Sequence, residues 1–228
     1  MYENQTITVV LPAYNEGKNI SKFIKDIKEL NIVDQIVAVN NNSTDNTEDE
    51  IKKNNVIYLN AEMQGFGAAV KKGIYFSKTD LIIICEPDGS FNAKDILKMM
   101  EFKKDFDAVF TSRTGSIKNF YLKYGNIIYA KILSLIFNGP KLSDVGSSLR
   151  LFNKKDLDMF QNKLNSDGPE LQIELTINLI KQKIKIIEIP IEYTNRIGKS
   201  NYTGNFFSSL IVALRFTKVV LKKIFNFA

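Results

Sequence analysis

The chain has 228 residues, of which 44% are hydrophobic and 25% are charged, values typical of a globular protein with a sizeable core. It contains no histidine, which excludes Ser-His and Cys-His nucleophilic catalysis and histidine metal sites. Its single cysteine, Cys85, allows no internal disulfide and is typical of a reducing compartment. Because a strand pattern starts at Thr6, we expect no signal peptide.

The net charge of +6 is unevenly distributed. Residues 108–143 and 193–228 contain no Asp or Glu, whereas each stretch carries several lysines and arginines. The remainder of the chain is therefore acidic. Such regional basicity indicates an anionic partner, which could be a phosphate, a membrane surface or a nucleic acid.

Apolar runs alternate with segments of helical periodicity through the first half of the chain. The apolar runs predict strands at Thr6–Leu11, Gln35–Val39, Val56–Leu59, Leu81–Cys85 and Asp107–Thr111. Helical patterns lie between them, among them Gln64–Ser77 and Ala93–Phe102. Since this alternation produces right-handed crossovers, we expect an α/β fold with a mostly parallel sheet flanked by helices.

The second half begins with a basic and aromatic segment, 117–137, which predicts an amphipathic helix or helix pair with Gly125 as a candidate bend. The patterns that follow predict a strand at Leu149–Phe152, a helix at Glu170–Lys181 and two short strands at Ile184–Ile189 and Ile191–Thr194. Pro190 separates the last two because proline has no N–H for a strand ladder.

The tail from 206 to 228 predicts a C-terminal amphipathic helix. Its longest stretch without a charge, Ser200–Leu214, is shorter than the roughly 20 residues that a spanning helix needs. The helix therefore either packs on the domain or lies in a membrane interface. The presence of two acid-free amphipathic segments, 117–137 and 206–228, favours the membrane surface.

An acidic turn follows the most apolar strand. The run Leu81–Cys85 stops at Glu86-Pro87-Asp88-Gly89, where proline and glycine end the strand. Two carboxylates are thereby placed at the carboxyl end of a core strand, the edge at which ligands bind in open α/β sheets. Carboxylates are hard oxygen ligands suited to Mg²⁺ or Mn²⁺, which can then hold a diphosphate.

Two other predicted strands also end in polar residues, Tyr14-Asn15-Glu16 and 40–45. These loops meet the acidic turn at the same edge of a parallel sheet, which predicts a nucleotide site beside a metal-bound diphosphate. The Gly65-x-Gly67 pair follows the third strand and lacks a third glycine, so it is not a dinucleotide fingerprint. It indicates close backbone approach to the ligand or the sheet, or plain packing.

Taken together, these motifs resemble those of family 2 inverting glycosyltransferases, which have the Rossmann-like GT-A fold, and most of all the dolichyl- or polyprenyl-phosphate sugar synthases. The resemblance runs from Thr6 to about Asn201. The motifs that carry it are Pro12–Glu16, 40–45, Gly65-x-Gly67-Ala68-Ala69, Glu86-x-Asp88-Gly89, Ser112-Arg113, Asp144–Arg150 and Arg196-x-Gly198-Lys199-Ser200.

The resemblance implies roles for individual positions. Those implied to bind the nucleotide-sugar are Pro12, Tyr14, Glu16, Asn40, Asn41, Gly65 and Asp88. Those implied to hold the cation, Mg²⁺ or Mn²⁺, are Glu86 and Asp88. Those implied to receive the acceptor phosphate are Arg113, Arg150, Arg196 and Lys199, whose charges suit phosphate. Those implied to be catalytic are Asp88, Asp144, Arg113 and Arg150.

The chain departs from the pattern of the family in three of these motifs. Asn40 and Asn41 stand where two aspartates are usual, which favours a UDP-sugar because an amide can pair with uracil, although Glu16 could supply a carboxylate for guanine. Glu86 replaces the more usual Asp of the metal motif. Ser148-Leu149 stands where Gly-Phe is common, which alters the expected acceptor pocket.

The reaction that these residues imply is transfer of a sugar, with inversion, from a UDP- or GDP-sugar to a polyprenyl or dolichyl phosphate. A phosphate nucleophile is already largely ionised at neutral pH, so it needs no histidine base. The alternative is a soluble enzyme that acts on a glycan or small-molecule hydroxyl, for which Asp144 is the candidate base. A further alternative is a non-catalytic nucleotide-binding scaffold, because two asparagines replace aspartates.

The predicted domain organisation is a glycosyltransferase domain over 1–205, followed by the amphipathic helix 206–228. Within the domain, 1–112 forms the nucleotide-sugar half and 113–205 the acceptor half. We expect the protein to be cytoplasmic and peripheral at the inner face of the membrane, attached through 117–137 and 206–228, with a separate membrane subunit as a further partner. Nucleic acid is not expected, because the aliphatic tail favours lipid.

Overall fold

The computed structural model describes residues 2–115, 120–194, 196 and 206–225. The strands in these residues are β1 (Ile7–Ala13), β2 (Gln35–Asn40), β3 (Ile57–Asn60), β4 (Leu81–Ile84), β5 (Ala108–Thr114), β6 (Arg150–Asn153) and β7 (Ile186–Glu192). The α-helices are α1 (Ile20–Glu29), α2 (Thr47–Lys52), α3 (Phe66–Phe76), α4 (Asp95–Lys103), α5 (Phe120–Ile136), α6 (Lys154–Asp158), α7 (Leu171–Lys181) and α8 (Phe206–Phe225).

The described strands form one seven-stranded sheet in the order β3-β2-β1-β4-β6-β5-β7. All neighbours are parallel except β6, which runs antiparallel to both β4 and β5. The central strands β1 and β4 are buried along their whole length, as expected for apolar runs covered by helices on both faces. The predicted α/β fold with a mostly parallel sheet is therefore confirmed.

Alternate side chains of the strands fill two cores, one on each face of the sheet. Val10, Ile82 and Ile84 point into the core that α3, α5, α7 and α8 cover. Val9 and Ile83 point into the core that α1 and α4 cover. Because β1 and β4 contribute side chains to both cores, the loops at their carboxyl ends follow strands that are buried on both faces.

Three local expectations differ from the structure. The two short strands around Pro190 are one continuous strand, because β7 is an edge strand whose proline N is not needed in the ladder. The described part of the segment with Gly125 forms one continuous helix, α5, and not a helix pair. The short helix α6 was not expected, and it starts directly after β6 at Asn153.

The last helix packs on the domain. Val212, Phe216 and Val220 of α8 are buried in the core beside α5 and α7. Tyr129 of α5 donates its hydroxyl to the carbonyl of Ala213 at 2.6 Å. None of the helices in the described ranges combines the length and the apolar character that crossing a bilayer requires.

Candidate active site

A cavity of about 210 Å³ opens at the carboxyl edge of β1, β2 and β4. Its walls come from both halves of the chain: the loops after β1 and β4, the amino end of α3, and the inner faces of α5, α7 and α8. Predicted site residues that line it are Pro12, Tyr14, Glu16, Asn41, Glu86, Asp88, Arg113 and Arg196. The parallel strand ends thus bring these residues to one place.

Three carboxylates, those of Glu16, Glu86 and Asp88, surround the guanidinium of Arg196. The guanidinium Nη2 donates to Glu16 Oε1 at 2.5 Å. Its Nη1 lies 4.0 Å from Glu86 Oε2, and its Nε lies 3.6 Å from Asp88 Oδ2. Ser90 donates its main-chain N–H and its hydroxyl to Asp88 Oδ1, which turns Oδ2 toward the arginine.

Burial, together with the proximity of these acids to one another, alters their protonation. Burial raises the pKa of Glu16 to about 7, against the opposing effects of Asn19 and Arg196. Burial and the neighbouring Asp88 raise the pKa of Glu86. The raised pKa values show that the charged forms of Glu16 and Glu86 are disfavoured beside a single guanidinium, so an additional cation at this place would favour their ionisation.

Glu86 and Asp88 fit a divalent cation in chemistry and position, because both are hard oxygen ligands at a strand end. A guanidinium already occupies the space between them, which shows that the site accepts positive charge. Within 2–115, 120–194, 196 and 206–225, no group of three or more acidic or cysteine side chains is arranged to hold a metal alone. Further ligands would come from a bound diphosphate and from water.

Arg113 is fixed by a bidentate ion pair. Its Nε donates to Asp144 Oδ2 and its Nη2 to Asp144 Oδ1, both at 2.7 Å. Burial opposes the charge of this guanidinium, but Asp144 more than offsets it and raises the pKa of Arg113. The carboxylate of Glu188 accepts hydrogen bonds from the main-chain N–H groups of Ser143 and Asp144, and these bonds fix the main chain that carries the Asp144 carboxylate. Asp144 does not line the cavity but positions Arg113, which does.

Arg150 does not occupy the predicted acceptor site. Its side chain is fully buried, with the guanidinium 4.1 Å from the ring centre of Phe110. It donates to the carbonyls of Ser147, Val145 and Gln172 and to the hydroxyl of Thr176. With these donors engaged inside the core, Arg150 ties the segment before β6 to α7, and the structure does not bring it to the cavity with the other predicted acceptor-phosphate and catalytic residues.

The two asparagines after β2 have different surroundings. Asn41 lines the cavity, and its Oδ1 accepts the main-chain N–H of Gly65 at 2.7 Å. Asn40 is buried outside the cavity wall, and its Oδ1 accepts the N–H of Ser43, which shapes the turn. The predicted base contact therefore fits Asn41, while Asn40 in this structure supports the loop.

The two glycines before and within α3 make room for a neighbouring loop. A Cβ on Gly65 would lie 2.2 Å from the carbonyl of Asp167, and one on Gly67 would lie 2.6 Å from the carbonyl of Ser166. The backbone that these glycines approach is the loop that leads into α7 and not the sheet, so the contact observed is the plain packing given as the alternative. Gly65 contributes to the site through its N–H to Asn41.

Lys199 lies outside the described residues. Several cavity residues were not foreseen: Gln64, Phe66, Phe91, Asn126, Pro169, Gln172, Tyr193, Val212 and Phe216. Most belong to helices in which the sequence pattern indicates only a buried or polar face. A polar residue between apolar neighbours, such as Gln172 between Leu171 and Ile173, is the one local signal that was available.

The fold and the site together define an α/β enzyme with acids and arginines at the carboxyl edge of its sheet. The sequence profile of glycosyl transferase family 2 matches residues 8–160, and the chain therefore belongs to that family. It is a glycosyltransferase, which excludes the non-catalytic scaffold.

Several curated relatives are similar over most of this chain. An uncharacterized protein of Methanocaldococcus jannaschii is 30% identical over 96% of this chain and 93% of its own. An uncharacterized glycosyltransferase of Mycobacterium bovis is 26% identical over 94% of this chain and 97% of its own. A low-salt glycan biosynthesis hexosyltransferase of Haloferax volcanii is 26% identical over 86% of this chain, which spans about half of that relative (49%).

Solved structures show the same fold. Glucosyl-3-phosphoglycerate synthase of Mycobacterium tuberculosis, crystallised with Mn²⁺, UDP and glucosyl-3-phosphoglycerate, superposes with a TM-score of 0.77 at 16% identity, over 97% of this chain and 80% of its own. Mannosyl-3-phosphoglycerate synthase of Rubrobacter xylanophilus gives 0.78 at 14% identity, over 97% and 74%. The chain has the expected GT-A fold, with the C-terminal helix α8 in addition.

Proposed function

We propose that this glycosyltransferase moves a sugar from a nucleotide-sugar to a polyprenyl phosphate, with inversion at the anomeric carbon. The observation that carries the proposal is the shared cavity. The nucleotide-facing residues Tyr14 and Asn41, the acids Glu86 and Asp88 and the cations Arg113 and Arg196 all line it. Donor recognition, leaving-group binding and acceptor-phosphate binding therefore fit within one site.

For the donor, we propose a UDP-sugar held at the ends of β1 and β2. Asn41 has its amide oriented by Gly65, and an amide can pair with both the N–H and the carbonyl of uracil. Solved structures of the same fold contain UDP together with Mn²⁺ or Mg²⁺. A GDP-sugar is less well supported, because the acid expected to recognise guanine, Glu16, is engaged by Arg196.

For the cofactor, we propose Mg²⁺ or Mn²⁺ held by Glu86 and Asp88. When bound, the cation would offset the negative charge that develops on the departing diphosphate. Arg196 contributes to the same purpose, since its guanidinium already lies against all three acids. Lys199, outside the described residues, remains a proposed phosphate contact.

For the acceptor, the proposal rests on α5 and α8. Val212 and Phe216 of α8 form an apolar part of the cavity wall. Apolar side chains on the outer surfaces of the two helices are also exposed, among them Leu135, Ile211 and Leu214 at 86%, 54% and 62%. Apolar surface of this kind, on basic helices, suits a membrane interface. We propose peripheral attachment at the cytoplasmic face, where a polyprenyl phosphate would be accessible, with or without a separate membrane subunit.

The second candidate function is sugar transfer to a small, water-soluble phosphorylated acceptor. Solved structures of this fold contain phosphoglycerate or its glucosyl product, which are such molecules. Arg113 and Arg196 suit the phosphate of either acceptor class. A hydroxyl nucleophile requires a base, whereas Asp144 is bound by both of its oxygens to Arg113. This engagement favours an acceptor that arrives already ionised.

An acceptor competition tests the proposal. Purified protein is incubated with labelled UDP-sugars, Mn²⁺ and either a short polyprenyl phosphate in detergent or 3-phosphoglycerate. The proposal expects label in the lipid phase and much less in the water-soluble product. Label only in the water-soluble product would establish the second candidate.

A further inference from the structure

Two amide side chains in the wall of the cavity have unused hydrogen-bonding atoms. Asn126 of α5 and Gln172 of α7 are 4% and 3% exposed, and both line the cavity. In the described part of the chain, Asn126 Nδ2 and both amide atoms of Gln172 have no hydrogen-bond partner. Buried polar groups are nearly always paired, because an unpaired group loses its hydration without compensation. The orphaned atoms therefore require an explanation.

Neighbouring residues hold Asn126 and Gln172 in place without pairing these amide atoms. The main-chain carbonyl of Gln172 accepts from Arg150 Nη1 at 3.0 Å and from the hydroxyl of Thr176 at 2.7 Å. The amide of Asn126 lies so close to Gly146 that a Cβ there would stand 2.7 Å from Asn126 Oδ1. Gln172 therefore contacts Arg150 and Asn126 contacts Gly146, and both of these partners lie in the segment 144–150 that also contains Asp144.

The chemistry of the unpaired atoms selects a class of partner. Phosphate oxygens at neutral pH mainly accept hydrogen bonds, and the guanidinium groups of Arg113 and Arg196 serve them in this cavity. A hydroxyl group donates and accepts, which matches an amide that presents both a carbonyl oxygen and an NH₂. Phe66, Val212 and Phe216 contribute apolar side chains to the wall of the same cavity.

We propose that Asn126 and Gln172 form a hydroxyl-binding subsite of the active-site cavity, which recognises the hydroxyl groups of a carbohydrate or a hydroxylated acceptor. The inference rests on the proposed function, because it assigns part of the same cavity. The hydroxyls come either from the sugar of the donor or from the acceptor. In both cases the two amides determine specificity and take no part in bond breaking.

The test replaces the amide of Gln172 with an apolar group of similar size, Gln172→Leu, and compares it with Gln182→Leu at the exposed residue that directly follows α7. Calorimetry with Mn²⁺ measures the affinity for UDP and for a set of UDP- and GDP-sugars. A transfer assay measures the KM for polyprenyl phosphate and for 3-phosphoglycerate. Thermal unfolding is followed for every variant.

If the donor sugar occupies the subsite, Gln172→Leu weakens binding of the preferred nucleotide-sugar about tenfold, as expected for one lost hydrogen bond, and leaves binding of the bare nucleotide unchanged. If the acceptor occupies it, donor affinity is unchanged and the acceptor KM rises by a similar factor. Asn126→Ala shifts the same quantity in the same direction. Because an orphaned amide is removed, the unfolding temperature of Gln172→Leu stays equal or rises.

Unchanged donor affinity together with unchanged acceptor KM would overturn the subsite. A loss of thermal stability with no change in donor affinity or acceptor KM would also overturn it, because that result would show that the role of Gln172 is purely structural. If Gln172→Leu does not fold, Gln172→Met supplies the same comparison with an unbranched side chain. Failure of the wild type to glycosylate polyprenyl phosphate overturns only the proposed acceptor, because the donor comparison can still be read.

Discussion

The buried Glu16 predicts an unusual dependence of stability on pH. Its folded pKa of about 7 lies above the ordinary value of 4.5. Between these two values the folded protein keeps the proton while the unfolded chain releases it. Unfolding therefore becomes easier as the pH rises through this window, and the loss is complete above pH 7.

The magnitude follows from the two pKa values. A rise from 4.5 to about 7 corresponds to at most about 3 kcal/mol. Solvent in the cavity that Glu16 faces screens the charge, so we expect about 1–2 kcal/mol. Glu16→Gln removes the titration while keeping the size of the side chain. The variant should gain about 1–2 kcal/mol relative to wild type between pH 5 and pH 8.

Urea unfolding of wild type and Glu16→Gln at pH 5, 6, 7 and 8 measures this difference. Glu29→Gln on the exposed face of α1 is the matched control and should follow the wild type at each pH. The reasoning is refuted if the difference between Glu16→Gln and wild type is the same at pH 5 and pH 8. A difference that falls with pH would show that the Arg196 ion pair outweighs the burial of Glu16.

Three further predictions concern other parts of the protein. Asp144→Asn should break the bidentate ion pair with Arg113 and raise the KM for a phosphate acceptor about tenfold, which corresponds to the loss of about one hydrogen bond. A fall confined to kcat, with the loss of the acidic limb of the pH profile, would instead identify Asp144 as a base. Arg150→Leu should lower the free energy of unfolding by about 3 kcal/mol or more, because it leaves several buried carbonyls unpaired, and unchanged stability in urea would contradict the structural role. Ile211→Glu with Leu214→Glu should reduce flotation with anionic liposomes while Lys218→Glu reduces it only at low salt, and equal flotation of the double variant and wild type would remove α8 from the membrane surface.

The part of the site that could be predicted is the part that strand ends determine. Glu86 and Asp88 follow an apolar run, and parallel strands bring their carboxyl ends to one edge, so the run alone places them beside Glu16 and Asn41. The same reasoning predicted the sheet, because a buried parallel strand has a distinctive apolar pattern. What it could not distinguish was Asn40 from Asn41, since a turn sends adjacent side chains to different surroundings.

The part that could not be predicted depends on packing between distant segments. Arg196 reaches Glu16 across 180 positions of sequence, which no local pattern encodes. Arg150 has the residue type of a phosphate ligand, but α7 covers it and supplies two of its hydrogen-bond acceptors. Asn126 and Gln172 lie on helices, where the direction of a polar side chain depends on which neighbours the helix packs against.

The central claim is that Asp88 and its neighbours support sugar transfer from a nucleotide-sugar. The most direct measurement is the rate of transfer from a labelled UDP-sugar to polyprenyl phosphate, for wild type and Asp88→Asn, with Mn²⁺ and with the metal chelated. We predict transfer by the wild type that chelation abolishes and Mn²⁺ restores, and a loss of about a hundredfold or more in Asp88→Asn with unchanged unfolding temperature. Full activity of Asp88→Asn, or of the chelated wild type, would contradict the account.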